Sequence, residues 1–160
     1  LRTDGYGGSI PNRARFMLEA VDAAISVWGP DRVGLHLSPT AEDDSDPAAT
    51  YGHIAREANA RGLAFLFMRE PQDAEPRFSP ALRGAFQGAF IANQDLTLET
   101  GQALLAKGEA DAVSYGRPYI ANPDLPERFA QGAPLNEPDP STFYGTGPVG
   151  YLDYPALPAA

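Results

Sequence analysis

Strand-like and helix-like segments alternate along these 160 residues, and each of the four strand segments turns polar at its C-terminal end. Together these two observations predict an α/β chain that forms half of a (β/α)8 TIM barrel. Strands separated by helices pair in parallel through right-handed crossovers. A small doubly wound sheet shows the same alternation, but it concentrates its site at one switch point. A barrel gathers its site from the ends of many strands. Here His36 and Ser38, Arg69 and Glu70, Asn93 and Gln94, and Gly116 and Arg117 stand at successive strand ends, which favours the half-barrel.

The first helix is read over 9–28. Ala14, Met17, Leu18, Val21, Ile25 and Trp28 recur at spacings of three and four, so they form one stripe, with Trp28 expected in the core. Ser9 is the N-cap candidate, Pro11 suits the first turn, and Gly29-Pro30 ends the helix. In "RVGLHLSP", Val33, Leu35 and Leu37 alternate with Gly34, His36 and Ser38, the period of a strand near 33–38. Asp46-Pro47 starts a second helix that stops at Arg61-Gly62.

"LAFLFMRE" supplies a strand near 63–68, apolar enough to be buried on both faces. Ser79-Pro80 opens a short helix, and "GAFIANQ" forms a strand near 89–93. A helix over 97–107 is closed by Gly108. "DAVSYGR" is the strand near 112–116, and Asn122-Pro123 caps the helix that follows. From 133 the chain becomes rich in Pro, Gly and aromatics. The expected organisation is a half-barrel over 1–132 and an irregular tail over 133–160 that packs on it.

With 12 basic against 21 acidic residues, the net charge of −9 argues against a nucleic-acid partner, which needs a basic face. There is no cysteine, so disulfides and thiolate metal sites are excluded, and a reducing cytoplasm is the expected compartment. No apolar run reaches the roughly 18 residues of a membrane span, and no secretory h-region stands at the start. The acidic run Glu42, Asp43, Asp44 and Asp46 lacks the alternating ligands and central Gly of a calcium loop, so no metal is expected.

The sharpest chemical signal lies at the last two strands. "IANQDLT" and "SYGRPYIANPD" each end a strand and begin a helix. Barrels commonly bind phosphate there. Gly116 permits close approach of backbone, Arg117 supplies a fork of donors, and N–H groups at the helix starts would complete an anion site. His36 points into the mouth if Val33, Leu35 and Leu37 face the helices, whereas His53, beside Arg56 and Glu57, reads as surface. No Ser-His-Asp arrangement, GxGxxG or P-loop is present.

The blocks "RTDGYGGSIPNRARFMLEAVDA", "RVGLHLSP", "IANQDLT", "YGRPYIANPDLPERF" and "FYGTGPVGYLDYPAL" resemble, in colinear order, the C-terminal half of the old yellow enzyme family. The similarity is to ene-reductases of the N-ethylmaleimide and nitrate-ester reductase type. It implies an eight-stranded barrel with FMN at its mouth, reduced by NAD(P)H and passing hydride to activated alkenes or nitro compounds. It places Asn93, Gln94, Gly116 and Arg117 at the FMN phosphate, and Tyr144 on the substrate side of the flavin.

His36 falls where many members carry an arginine beside the flavin N1–C2 carbonyl edge, and the loop Thr40–Ser45 is shorter than is usual. The substrate-holding His pair (or His-Asn) and the proton-donating Tyr precede this segment in the family, so no catalytic residue is expected in this chain. The opening "LRTDGYGGS" resembles the stretch just after that pair, so residue 1 is expected to be a cut. The expected partner is a complementary N-terminal half or another copy, because four barrel strands leave two open edges. Two other classes fit the residues: a redox-inactive phosphate-binding half-barrel, and a self-assembling scaffold fragment.

Overall fold

A computed structural model of the chain describes residues 2–39 and 44–158. They fall into two compact units, Leu1–Ser114 and Tyr115–Ala160. The expected tail, 133–160, lies within the second.

The first unit is a four-stranded parallel sheet with its helices. Its elements run α1 (Ile10–Trp28), β1 (Gly34–Leu37), α2 (Pro47–Ala60), β2 (Phe65–Arg69), α3 (Ser79–Ala85), β3 (Ala89–Asn93), α4 (Leu98–Ala106) and β4 (Ala112–Val113). The strands lie side by side in chain order, β1-β2-β3-β4, all parallel. A doubly wound sheet reverses its order at a switch point; this one does not.

Alternate residues of each strand separate two faces. On one face Leu37, Leu66, Met68, Phe90 and Ala92 are buried, together with Ile54, Ala55 and Ala58 of α2 and Leu18 and Val21 of α1. The other face carries His36, Phe65, Phe67, Arg69, Ile91 and Asn93, all half-buried or exposed. The expectation that β2 is buried on both faces therefore fails for Phe65 and Phe67, because no described element of this unit covers that side. The Phe65 ring lies on Gly34, where any Cβ would collide with it, which accounts for a glycine inside β1.

The helix ends follow their capping chemistry. Asp46 accepts from Ala49 N–H at the start of α2, and Thr97 and Thr100 form a reciprocal capping box on α4. Ser9 occupies the N-cap of α1 without a side-chain cap bond. Trp28 departs from expectation: it is 62% exposed. Along the stripe Leu18 and Val21 are buried, Ile25 is half-buried and Trp28 is exposed, so the helix runs past the surface on which it packs.

The second unit holds α5 (Arg117–Ala121), α6 (Leu125–Gln131) and the tail. The expected strand near 112–116 is only two residues long, and its last positions lead into the short α5. Asn122 does not cap the next helix; Asp124 takes that position. Fully buried, Asn122 instead accepts from Asn136 N–H at 2.7 Å and donates to the Pro118 and Asn136 carbonyls at 2.8 and 3.2 Å. Arg128, also buried, donates to Asp124 and to the carbonyls of Pro134 and Pro155. Buried polar groups need such partners, and these tie the proline-rich tail to α5 and α6.

Candidate functional site: the polar rim of the parallel sheet

The exposed sheet face of the first unit is apolar at its centre and polar at the C-terminal end of the strands. Register pairs His36 with Phe67, Phe67 with Ile91, and Arg69 with Asn93. The His36 imidazole stands edge-on to the Phe67 ring, 4.6 Å between centroids.

Above this floor the rim is crosslinked. Asn93 Nδ2 donates to the Ser114 carbonyl at 3.0 Å and to Ser114 Oγ at 2.8 Å, which joins the end of β3 to the chain leaving β4. Arg69 Nε donates to Gln94 Oε1 at 2.8 Å, and Gln94 Nε2 donates to Asp95 Oδ2 at 2.8 Å. Gln94 and Asp95 both have left-handed backbones, with φ of 95° and 52°. Non-glycine residues in that region store strain, and such strain concentrates at functional sites.

Next along β2, Glu70 is 2% exposed and turns the other way. Its carboxylate accepts from Phe78 N–H at 2.6 Å and Ser79 N–H at 2.9 Å, so it holds the start of α3 and the loop 71–78 that leaves the rim. α4 is different, because Thr97 and Thr100 spend their own N–H groups on each other. The expectation of exposed donors at that helix start is corrected for these two.

In the second unit Gly116 is the N-cap of α5 and Arg117 its first residue, exposed. Gly116 has neither a positive φ nor a neighbour within 4 Å of where a Cβ would stand. Among the described residues nothing in the packing requires a glycine there, and the space beside it is open. Tyr144 is 97% exposed with a left-handed φ of 61°, and its N–H donates to Tyr151 Oη at 3.3 Å. Within the same unit, the Arg128 guanidinium and then the Leu157 N–H hold the Asp124 carboxyl below the usual carboxylate range.

The chain matches the profile of the NADH:flavin oxidoreductase / NADH oxidase family over residues 1–136. It belongs to that family. It is 45% identical over 168 residues to 12-oxophytodienoate reductase 2 of Arabidopsis thaliana, covering 98% of this chain and 45% of that protein. It is 44% identical to a probable flavin mononucleotide-dependent alkene reductase of Leishmania infantum, covering 98% of this chain and 44% of that one. Among solved structures, morphinone reductase in complex with tetrahydroNAD superposes with a TM-score of 0.91 at 52% identity, covering 98% of this chain and 44% of the other. The old yellow enzyme homologue from Zymomonas mobilis superposes with a TM-score of 0.92 at 41% identity, covering 98% and 47% respectively.

The chain thus spans less than half the length of each of these four proteins, and its fold is a half of their barrel. The old yellow enzyme resemblance and the half-barrel fold both stand.

For this member of the family, the first unit brings His36 and Asn93 onto one sheet face, with Gln94 just past the end of β3 and bonded to Arg69, and the second sets Gly116 and Arg117 side by side. The acidic run splits. Asp44 accepts from Arg13 at 2.7 Å and from Thr50 at 3.2 Å, Asp46 caps α2, and Glu42 and Asp43 lie outside the described residues, as do Thr40 and Ala41 of the loop expected to be short. No group of three or more His, Cys, Asp or Glu suited to a metal occurs among the described residues, and none of their helices is long and apolar enough to cross a membrane. Arg69 and Glu70 were legible in the sequence as a polar strand end, but not the bonds each makes, Arg69 to Gln94 and Glu70 to the Phe78 and Ser79 N–H groups.

Proposed function

We propose that this chain is the flavin-phosphate half of an FMN-dependent NAD(P)H oxidoreductase, an ene-reductase acting on activated alkenes or nitro compounds. The chemistry FMN supplies when bound is hydride relay, from the nicotinamide to the acceptor. One observation carries the reading: a member of the NADH:flavin oxidoreductase family by its sequence, the chain follows morphinone reductase in complex with tetrahydroNAD over 98% of its length at 52% identity and a TM-score of 0.91. Two features of its own residues fit the group. A donor-rich rim closes one end of an apolar sheet face, and Gly116 keeps open a space that its own packing does not need.

The residues take these roles. Asn93 secures the end of β3, from which Gln94 is presented; Gly116 and Arg117 match the family's phosphate motif, Arg117 as the charged donor. His36, with a single imidazole edge over Phe67, meets the flavin's carbonyl edge in place of the usual arginine. Tyr144 presents its exposed ring to the substrate side. The substrate-holding pair and the proton-donating Tyr come from outside this chain. They belong to a complementary N-terminal half, or the barrel closes with another copy; β1 and β4 are the edges left to pair. The chain acts in the cytoplasm, a compartment that suits its lack of cysteine.

The test is flavin binding. Arg117→Ala should weaken FMN binding in the complete protein by about ten- to a hundredfold, since a charge-assisted contact is worth about 1.5–3 kcal/mol. Equal FMN affinity in variant and wild type would remove Arg117 from the site. A protein that binds no flavin would overturn the whole reading.

A further inference from the structure

Counting donors at the rim leads to a residue outside the family pattern. A phosphate is met by N–H and O–H groups, yet Asn93 spends both hydrogens of its amide on Ser114. Gln94 spends one of its two on Asp95. Arg69 is the reverse case. It is exposed at the end of β2, in register with Asn93, and only its Nε is engaged, on the neutral Gln94 amide at 2.8 Å.

Its Nη1 and Nη2 carry four N–H bonds and no partner among the described residues. Other arginines of this unit, Arg13, Arg61 and Arg83, end on carboxylates at 2.6–2.9 Å. Arg69 is therefore a guanidinium whose direction is set by an amide while its charge is left unanswered. Gln94 in turn is held by Asp95, with both backbones left-handed.

Resting on the flavin reading above, we propose that Arg69 binds the phosphate of FMN, its two terminal nitrogens taking phosphate oxygens while Gln94 sets the angle of the fork. The planar fork matches two oxygens of a phosphate in a way that an ammonium does not. The charge matters as much as the geometry: the chain carries a net −9, so a dianionic group is held only where cations are gathered locally.

The experiment compares FMN with riboflavin, which lacks the phosphate, titrated into flavin-free complete protein and followed by flavin fluorescence. Arg69→Ala should weaken FMN binding about tenfold or more and leave riboflavin binding unchanged. Arg69→Lys should recover part of the loss. Arg32→Ala, which removes the same charge just before β1, should change neither ligand. If wild type prefers FMN and Arg69→Ala keeps that preference in full, or loses both flavins alike, this assignment falls while the flavin reading stands. If wild type does not prefer FMN over riboflavin, both fall.

Discussion

The two faces of the sheet are built from the same strands, residue by residue, yet they do opposite work. Leu66, Met68, Phe90 and Ala92 lie against the helices and are at most 7% exposed. Phe65, Phe67, Arg69, Ile91 and Asn93, one position away in each case, face outward over the bare side. The first set converts apolar area into stability at about 25 cal/mol per Å². The second set leaves apolar area open and adds a crosslinked polar rim, and the first-unit candidates for ligand contact lie with it: Asn93 within the set, His36 on the same face of β1, and Gln94 just past the end of β3. Fold and site are therefore separable by strand parity, and each can be perturbed while the other is watched.

The largest effect should come from the helix-covered face. Phe90→Ala empties a fully buried ring position in the central strand β3. It should cost about 3–5 kcal/mol in urea unfolding. A loss below about 1 kcal/mol would mean that this face is not the core.

Glu70→Ala is the next test, because this residue links the two roles. It removes the acceptor of Phe78 N–H and Ser79 N–H and leaves both N–H groups without a partner. A loss of about 1–3 kcal/mol is expected, with faster hydrogen exchange concentrated at 71–79. Uniform loss of protection over the whole unit would show that Glu70 supports the core and not the loop.

The second unit extends the comparison to pH. The Asp124 carboxyl is held low, first by the Arg128 guanidinium and then by Leu157 N–H. A group whose folded pKa is depressed stabilises fully above its unfolded value, about 3.9 for Asp. That contribution is lost as pH falls through the folded value. Below about pH 4 the tail should therefore loosen before the sheet does, and Asp124→Asn should loosen it at neutral pH. Hydrogen exchange at Leu157, corrected for intrinsic rates, reads this directly. Equal protection of Leu157 in wild type and Asp124→Asn would refute it.

The smallest effect belongs to the bare face. In this chain by itself Ile91→Thr, half-buried there, should change stability by less than about 1 kcal/mol, whereas the same exchange at a buried β position costs more. A cost comparable to that of Phe90→Ala would show that this face is covered and not bare.

Much of this was readable from residues alone. Period-2 alternation in "RVGLHLSP" assigned the face of His36, and the asparagine-glutamine and glycine-arginine pairs stood out as polar ends of apolar strands. Capping at Asp46 and Thr97 and the helix stops at Gly29, Gly62 and Gly108 are local chemistry, settled within a few residues of chain. Other features could not be read locally. Trp28 keeps the helical spacing of its stripe, and periodicity does not say where the opposing surface ends. "LAFLFMRE" is apolar on both parities, so only the arrangement of helices shows that Leu66 and Met68 are covered while Phe65 and Phe67 are not.

Asn122 illustrates the limit most clearly. Next to Pro123 it has the local signature of a helix cap, and the fold uses it instead to hold Asn136, fourteen residues away. Strand period, caps and stops depend on near neighbours, and the sequence by itself determined them. Which donors are spent and which are left, as with Asn93 and Arg69, depends on groups brought together from distant strands. Only the tertiary structure decided that, because a hydrogen bond is satisfied by whatever lies within 3 Å or so in space and not by what lies nearby in the chain.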